Sequence, residues 1–147
     1  MLKHKNFIIF IFLILINISN LFSQENTYII EGKIRFKGKG KIYIILVNEN
    51  TFSLKTEGIN KMIFSPSFLE EQSGEISFTF KNVKSGIYGI KCFLDENNNG
   101  KLDKRLFSPI EPWGMSWKDK KSFGPPKFKN IEFEVTSNIK DLIIELN

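Results

Sequence analysis

Oxygen-bearing side chains recur at alternate positions in one short, glycine-containing segment of the chain. The segment reads Asp95-Glu96-Asn97-Asn98-Asn99-Gly100-Lys101-Leu102-Asp103. Carboxylate and amide oxygens at loop positions 1, 3, 5 and 9 can turn toward one centre, glycine at position 6 permits a sharp bend, and position 7 would add its backbone carbonyl. Hard oxygen donors without histidine or cysteine suit Ca²⁺ rather than zinc or copper. We therefore predict a calcium site formed by Asp95, Asn97, Asn99, Lys101 and Asp103.

This segment departs in two ways from a helix-loop-helix calcium site. Position 12 is Leu106 instead of a bidentate glutamate, and the pattern before Asp95 predicts a strand instead of a helix. Glu111 would return a carboxylate to the loop if the chain folds back. The alternative is a long, metal-free β-turn, which Asn and Gly commonly form. If calcium binds, we expect an Asp95→Ala variant to lose the calcium response and to keep its calcium-free stability.

A segment rich in proline, glycine and aromatic residues follows the loop, from Phe107 to Phe128. Its composition is unsuited to a helix and too aromatic for a disordered linker, so we predict an ordered loop packed by its own rings. Two interpretations stay open. The segment is a lid that closes one end of the domain, or it presents a recognition surface. The candidate residues of that surface are Glu111, Trp113, Trp117 and Phe123.

Nucleophilic catalysis has few candidate residues in this chain. Cys92 is the single cysteine, so a disulfide within the chain is excluded, and the single histidine is His4, near the N-terminus. A thiol nucleophile needs a neighbouring base, and the predicted domain contains no imidazole. We therefore predict that Cys92 is a small buried core residue and that the protein is not an enzyme.

The N-terminal segment has the pattern of a cleavable export signal. Lys3 and Lys5 precede an apolar run from Phe7 to Ile16, and small Ser23 precedes Gln24. The run is shorter than the roughly 20 residues of a membrane-spanning helix. We predict a signal peptide over residues 1–23 and a single domain over residues 24–147, located in the periplasm or secreted, with membrane contact only before cleavage.

The charge distribution argues against nucleic acid as a partner. The chain has 21 lysines and arginines against 16 acidic residues, and Lys3 and Lys5 leave with the signal. The remaining positive excess is small and spread along the chain, whereas nucleic-acid binding requires a clustered basic face. We expect an envelope or extracellular partner, whose identity the composition does not indicate.

Short runs of β-branched and aromatic residues, separated by Gly, Asn, Pro and Ser, predict a domain built from strands. We predict strands over Tyr28–Phe36, Lys41–Asn48, Lys61–Phe64, Glu75–Lys81, Ile87–Leu94, Ile131–Thr136 and Lys140–Leu146. Two glycines in the segment 37–40 suit a tight turn, so we expect the first two strands to form a hairpin. The segment Ser65–Ser73 is predicted to be a loop or at most one helical turn.

Alternation within the strand that precedes the loop predicts which side chains face the core. Tyr88, Ile90, Cys92 and Leu94 share one face, which we assign to the interior, and Lys91 on the opposite face should contact water. Short antiparallel strands without crossover helices favour an all-β fold, a two-sheet antiparallel sandwich of the immunoglobulin-like or transthyretin-like kind with one long ordered loop. A closed barrel is the alternative.

Several motifs of the C-terminal half occur together in a known family. They are Gly86-Ile87-Tyr88, the Asp95–Asp103 loop, Pro109-x-Glu111-x-x-Gly114-x-Ser116, and Phe123-Gly124-Pro125-Pro126-x-Phe128. In this order and spacing the chain resembles the exported bacterial domains grouped as domain of unknown function 2141. The resemblance implies a secreted or periplasmic β-sandwich and brings no assigned activity. Members often have histidine just before the first loop aspartate, where this chain has Leu94.

Three functions are compatible with these patterns. The first is an exported, non-enzymatic binding or structural module, stabilised by calcium and binding a partner through its aromatic loop. The second is a hydrolase of cell-envelope carbohydrate that uses Asp95, Asp103 or Glu111 as acid and base, because two carboxylates can suffice for glycoside chemistry. The third is an assembly subunit that pairs with another chain through an exposed edge strand.

Overall fold

The computed structural model describes residues 25–106, 108–118 and 125–147. The predicted signal segment, residues 1–23, and Phe123 lie outside these ranges. In the described part of the chain, no helix combines the length and the apolar character that a membrane span requires.

Strands make up nearly all of the regular structure. They are β1 (Thr27–Arg35), β2 (Lys41–Val47), β3 (Asn60–Phe64), β4 (Glu75–Lys84), β5 (Gly86–Asp95), β6 (Lys104–Arg105), β7 (Ser108–Pro109), β8 (Trp113–Met115), β9 (Phe133–Val135) and β10 (Ile139–Glu145). Each predicted strand is found, with ends that differ by a few residues. The helix α1 (Phe68–Ser73) is longer than the single turn predicted, because Ser67 and Glu70 form a capping box at its N-terminus. A 3-10 helix follows at Phe128–Asn130.

The strands form two main sheets. In the first sheet the order is β10-β1-β4, and in the second it is β3-β2-β5. On its other side, β5 pairs with β8 through Lys91–Phe93 and with β9 through Gly86–Tyr88. The strands β6 and β7 form a separate two-stranded ribbon. Among the described strands, all pairs are antiparallel except β1 with β10, and the predicted all-β sandwich is confirmed.

The predicted hairpin between the first two strands is wrong. Along its length β1 pairs with β4, and β2 pairs with β5 and β3, so the two strands lie in different sheets. Gly38 and Gly40 do take positive φ angles, 111° and 152°, as a tight turn requires. The turn carries the chain from one sheet to the other. In its own sheet, β1 pairs with the ten-residue strand β4 and β2 with the ten-residue strand β5.

The main hydrophobic core lies between the two sheets. The first sheet contributes buried side chains such as Ile34 and Phe80, and the second contributes Ile90, Cys92 and Leu94. Ile90 and Leu94 are fully buried and Tyr88 packs against the same core, which confirms the predicted inward face of β5. Burial raises the pKa of the Cys92 thiol, and its sulfur lies 3.4 Å from the Gly114 carbonyl oxygen. Cys92 is therefore a core residue, as predicted.

A second hydrophobic cluster covers the opposite face of the second sheet. Tyr43 and Phe93 stack there with ring centroids 4.7 Å apart, beside buried Ile45, Val47 and Ile131. The partly buried side chains that cover this face are Phe52, Leu102, Trp113, Met115, Trp117 and Phe128. Because β2 is covered on both faces, its sequence from Ile42 to Val47 is an uninterrupted apolar run.

Candidate functional site

The Asp95 carboxylate organises the first half of the predicted calcium loop. Asp95 ends β5 and is fully buried. Its Oδ1 accepts a hydrogen bond from the Asn99 backbone N–H at 3.0 Å, and its Oδ2 accepts one from the Gly100 N–H at 2.8 Å. Gly100 has a φ of 78°, in the left-handed region that glycine adopts without strain. These bonds turn the chain back over the end of β5.

The Asp103 carboxylate organises the second half of the loop. It accepts hydrogen bonds from the amide groups of Asn97, at 2.6 Å, and Asn99, at 3.0 Å. The two asparagine side chains also accept through Oδ1 from the backbone, Asn97 from the Asn99 N–H and Asn99 from the Lys101 N–H. The loop therefore brings together the four side chains that the sequence predicted as ligands: Asp95, Asn97, Asn99 and Asp103.

A cation at this centre would require a local rearrangement of two amides. Asn97 and Asn99 present their nitrogen atoms to Asp103, whereas a calcium ion would need their oxygens. A half-turn about the terminal side-chain torsion exchanges the two atoms. It also removes the Oδ1 acceptors of the Asn99 and Lys101 N–H groups, so the backbone at these residues would have to shift as well. The described residues contain no group of three or more His, Cys, Asp or Glu side chains that could hold a metal ion. A calcium site here would thus rely on amide and carbonyl oxygens as well as carboxylates.

The chain folds back so that Glu111 lies against the loop, which is the arrangement considered in the sequence analysis. Its carboxylate joins the two ends of the loop. Its Oε1 accepts from the Glu96 backbone N–H and its Oε2 from the Asp103 N–H, each at 2.9 Å. The side chain is only 5% exposed. Glu111 is therefore buried beneath the loop and does not contribute to an exposed recognition surface.

These contacts change the expectation for the Asp95→Ala variant. Unchanged calcium-free stability would require that the loop oxygens have no partner without an ion. The Asp95 carboxylate is buried and accepts two backbone N–H groups. Removing it leaves those donors without their acceptor, and such a loss costs stability with or without calcium.

The described part of the aromatic segment, residues 108–118 and 125–128, packs on a face of the second sheet, whereas the lid interpretation placed the segment at one end of the domain. Trp113 lies in β8, which pairs with the central strand β5. Trp117 lies two residues after the end of β8. The two indole rings meet edge to face with centroids 6.0 Å apart. Both are partly exposed, so they form part of the second cluster and still reach the surface.

Two further residues of the aromatic segment hold it against the sheets. Ser116 Oγ donates to the Ile131 carbonyl at 2.7 Å and accepts from the Ile90 N–H at 2.9 Å, so it bridges β5 to the segment before β9. A Cβ atom at Gly114 would lie 2.3 Å from the Glu145 carbonyl oxygen, so only glycine allows β8 to approach β10 this closely. Both residues belong to the motif Pro109-x-Glu111-x-x-Gly114-x-Ser116, whose residue types and spacing do not indicate these roles.

The prediction that the Lys91 side chain extends into water is wrong. Its Nζ donates to the backbone carbonyls of Phe52, at 2.9 Å, and Leu54, at 2.5 Å, and lies 5.7 Å from the centre of the Phe52 ring. Burial, with a smaller contribution from the charge of Lys104, lowers the pKa of Lys91 to about 8. The alternation placed Lys91 on the correct face, but the second cluster covers that face.

The lowered pKa predicts that stability rises at alkaline pH. Between about pH 8 and the ordinary lysine value of 10.5, the unfolded chain binds the Lys91 proton and the folded chain has released it. Raising the pH through this window therefore favours the folded state. Because Lys91 is partly exposed, we expect a gain in unfolding free energy of about 1 kcal/mol relative to a Lys91→Met variant. Urea titrations of both proteins at several pH values measure it, and parallel pH curves would contradict the assignment.

Comparison with known proteins identifies a bacterial family. Residues 34–142 match the model of a family described as "uncharacterized protein conserved in bacteria (DUF2141)". The matched range begins in β1 and ends in β10, and it contains the Asp95–Asp103 loop and the aromatic segment. No curated protein and no solved structure matches the chain.

Proposed function

The chain belongs to the DUF2141 family of uncharacterized bacterial proteins, and on that premise we propose that it is an exported, non-enzymatic binding module whose Asp95–Asp103 loop is stabilised by calcium. The observation that carries the proposal is that two buried carboxylates, those of Asp95 and Glu111, hold the backbone of the loop in place. Asp95 and Glu111 are 0% and 5% exposed, and each accepts two backbone N–H groups. They support the loop from beneath it.

The same burial favours a binding module over a hydrolase. Carboxylate pairs that hydrolyse glycosides face each other across a cleft that admits the sugar. Asp95 and Glu111 are closed off from solvent, and Asp103 is engaged by two asparagine amides. These interactions orient the loop, and they leave no open pair of carboxylates at this site to act as acid and base.

Edge-strand assembly has less support. The edge strand β3 of the second sheet is only five residues long, and its second residue is the exposed Lys61. The edges of the first sheet, β4 and β10, are longer and carry the exposed lysines Lys81, Lys84 and Lys140. Lysines on an edge strand oppose pairing with another chain. A module that binds its partner through side chains agrees better with these edges.

Calcium should raise the melting temperature of the protein, and the charge of Asp103 should be required for this effect. At about 1 mM Ca²⁺ and a Kd of about 0.1 mM, binding adds roughly 1.4 kcal/mol, or about 5 °C for a domain of this size. Thermal melts in calcium and in chelator measure the shift. Asp103→Asn keeps the shape of the side chain and removes one anionic ligand, so it should reduce the shift to less than half.

Asp141→Asn is the matched control, because it makes the same chemical change at an exposed residue outside the loop. This variant should keep the full calcium shift. If the unmutated protein melts identically in calcium and in chelator, and calorimetry detects no calcium binding at several mM, the loop is a metal-free turn and this part of the proposal is wrong.

Export has an independent test. We expect the protein recovered from its native source to begin at or near Gln24, because the apolar run ends before Ser23. Intact-mass spectrometry measures the N-terminus directly. Retention of Met1 would show that the N-terminal segment is not a cleaved signal.

A further inference from the structure

A cleft opens where the two sheets meet at the C-terminal end of β10. It has a volume of about 540 Å³, and its lining residues are Arg35, Met115, Trp117, Ile143, Glu145 and Asn147. Two backbone hydrogen bonds join its sides, from the Trp113 N–H to the Asn147 carbonyl at 3.2 Å and from the Asn147 N–H to the Trp113 carbonyl at 3.1 Å. The two bonds hold the ends of β8 and β10 together at the cleft, and Trp117 lines it from the segment that follows β8.

One side of this cleft is apolar. Trp117 is partly exposed, and its ring is oriented by the edge-to-face contact with Trp113. Ile143, on β10, is 49% exposed, and Met115 lies between the cleft and the second cluster. An oriented aromatic ring beside aliphatic side chains offers a flat surface for a ligand with an apolar face.

The other side carries hydrogen-bonding groups whose charges are largely compensated. The Arg35 Nε lies 3.3 Å from a Glu75 carboxylate oxygen, and its Nη1 lies 3.9 Å from one of Glu145. A guanidinium has five N–H donors, so these two contacts orient Arg35 and leave donors for a ligand. The flanking carboxylates disfavour an anionic ligand. A purely apolar ligand would remove Arg35 and Asn147 from water without replacing their hydrogen bonds.

The polar lining continues beyond the cleft. A shallower groove of about 420 Å³ crosses the outer face of the first sheet and shares Arg35 and Ile143 with the cleft. It is also lined by Lys33, whose ammonium donates hydrogen bonds, and by Ser77 and Thr79, whose hydroxyls donate and accept them. A ligand that occupied both would be elongated and rich in hydroxyl groups.

We propose that the cleft beside Trp117, with the adjoining groove, binds a neutral oligosaccharide. A sugar ring has an apolar C–H face that suits Trp117 and Ile143, and hydroxyl groups that accept from Arg35 and donate to the Asn147 amide oxygen. Small-molecule sites commonly combine an apolar lining with a few oriented polar groups in this way. The inference rests on the proposed binding function and names the class of ligand.

The test is a titration of the ¹⁵N-labelled protein with neutral hexasaccharides of β-1,4-linked glucose, β-1,4-linked N-acetylglucosamine and α-1,4-linked glucose, each to about 10 mM. We expect saturable amide shifts in β1, β8 and β10 with at least one of them. Ile143→Ser should weaken that binding about three- to tenfold, and Trp117→Ala by at least as much.

Ile63→Ser is the matched control. Ile63 is 51% exposed on β3 and Ile143 is 49% exposed on β10, but only Ile143 lines the cleft. Both changes remove the same exposed side chain from a strand, so both variants should fold. The control should bind as the unmutated protein does, and equal weakening in both variants would overturn the assignment to the cleft.

Other outcomes decide the ligand class. Shifts only with an acidic hexagalacturonate, or with none of the saccharides, would overturn the neutral oligosaccharide. Shifts centred on β3 would show a sugar-binding module whose site is elsewhere. The calcium melts and the N-terminal mass are independent of these titrations, so a failed ligand class can be distinguished from a failure of the proposed module.

Discussion

Truncation of Ile90 to alanine should lower the free energy of unfolding by about 2–5 kcal/mol. Ile90 is fully buried in β5, where its side chain packs between the two sheets. Alanine would remove its apolar contacts and leave a cavity that strands held by ladders on both sides cannot easily close. Urea denaturation with a constant slope measures the loss.

The control for this prediction lies in the same strand. Ile87 is 54% exposed, so Ile87→Ala removes the same atoms and leaves no cavity. We expect it to cost no more than about 1 kcal/mol. A loss below about 0.5 kcal/mol for Ile90→Ala would show that the inward face of β5 has been assigned wrongly.

Replacement of Glu111 by alanine should cost about 2–4 kcal/mol, because each of its two hydrogen bonds joins a carboxylate to a backbone N–H. Without the carboxylate, the Glu96 and Asp103 N–H groups lose their acceptor near the base of the loop. Glu111→Gln retains one acceptor oxygen and should lose about half as much stability. Urea denaturation gives the stabilities, and hydrogen exchange at the Glu96 and Asp103 amides reports the loop directly.

Glu134→Ala is the matched control, because Glu134 is exposed on β9. Its stability should stay within about 0.5 kcal/mol of the unmutated protein. Unchanged stability and unchanged exchange in Glu111→Ala would contradict the assigned role. If Glu111→Ala abolishes the calcium response as well, the contacts beneath the loop would be shown to position its ligands.

Short-range patterns determined most of the strands and the inward face of β5. Side chains alternate along a strand, so the positions of Tyr88, Ile90, Cys92 and Leu94 follow from their order in the sequence. The Asp95–Asp103 loop is equally local, since the side-chain hydrogen bonds within it join residues at most six positions apart. The motifs within and after β5 also indicated the family that the comparison identifies.

Strand pairing, by contrast, was decided only in the tertiary structure. Gly38 and Gly40 permit a turn in a hairpin and in a crossing between layers alike, and the local sequence does not distinguish the two. The choice depends on β4 and β5, which offer β1 and β2 long antiparallel partners from elsewhere in the chain. The spacing of apolar residues along the chain does not indicate which of the distant segments will pair.

The environments of Lys91 and Glu111 depend on the same long-range folding. Alternation places Lys91 on the face of β5 opposite the main core, but distant segments around Phe52 and Phe128 cover that face. Glu111 is a candidate residue of the recognition surface, one of the two interpretations of its segment, and the return of the chain beneath the loop buries it. A side chain's direction from its own strand is a local property, whereas the groups that cover it come from the fold as a whole.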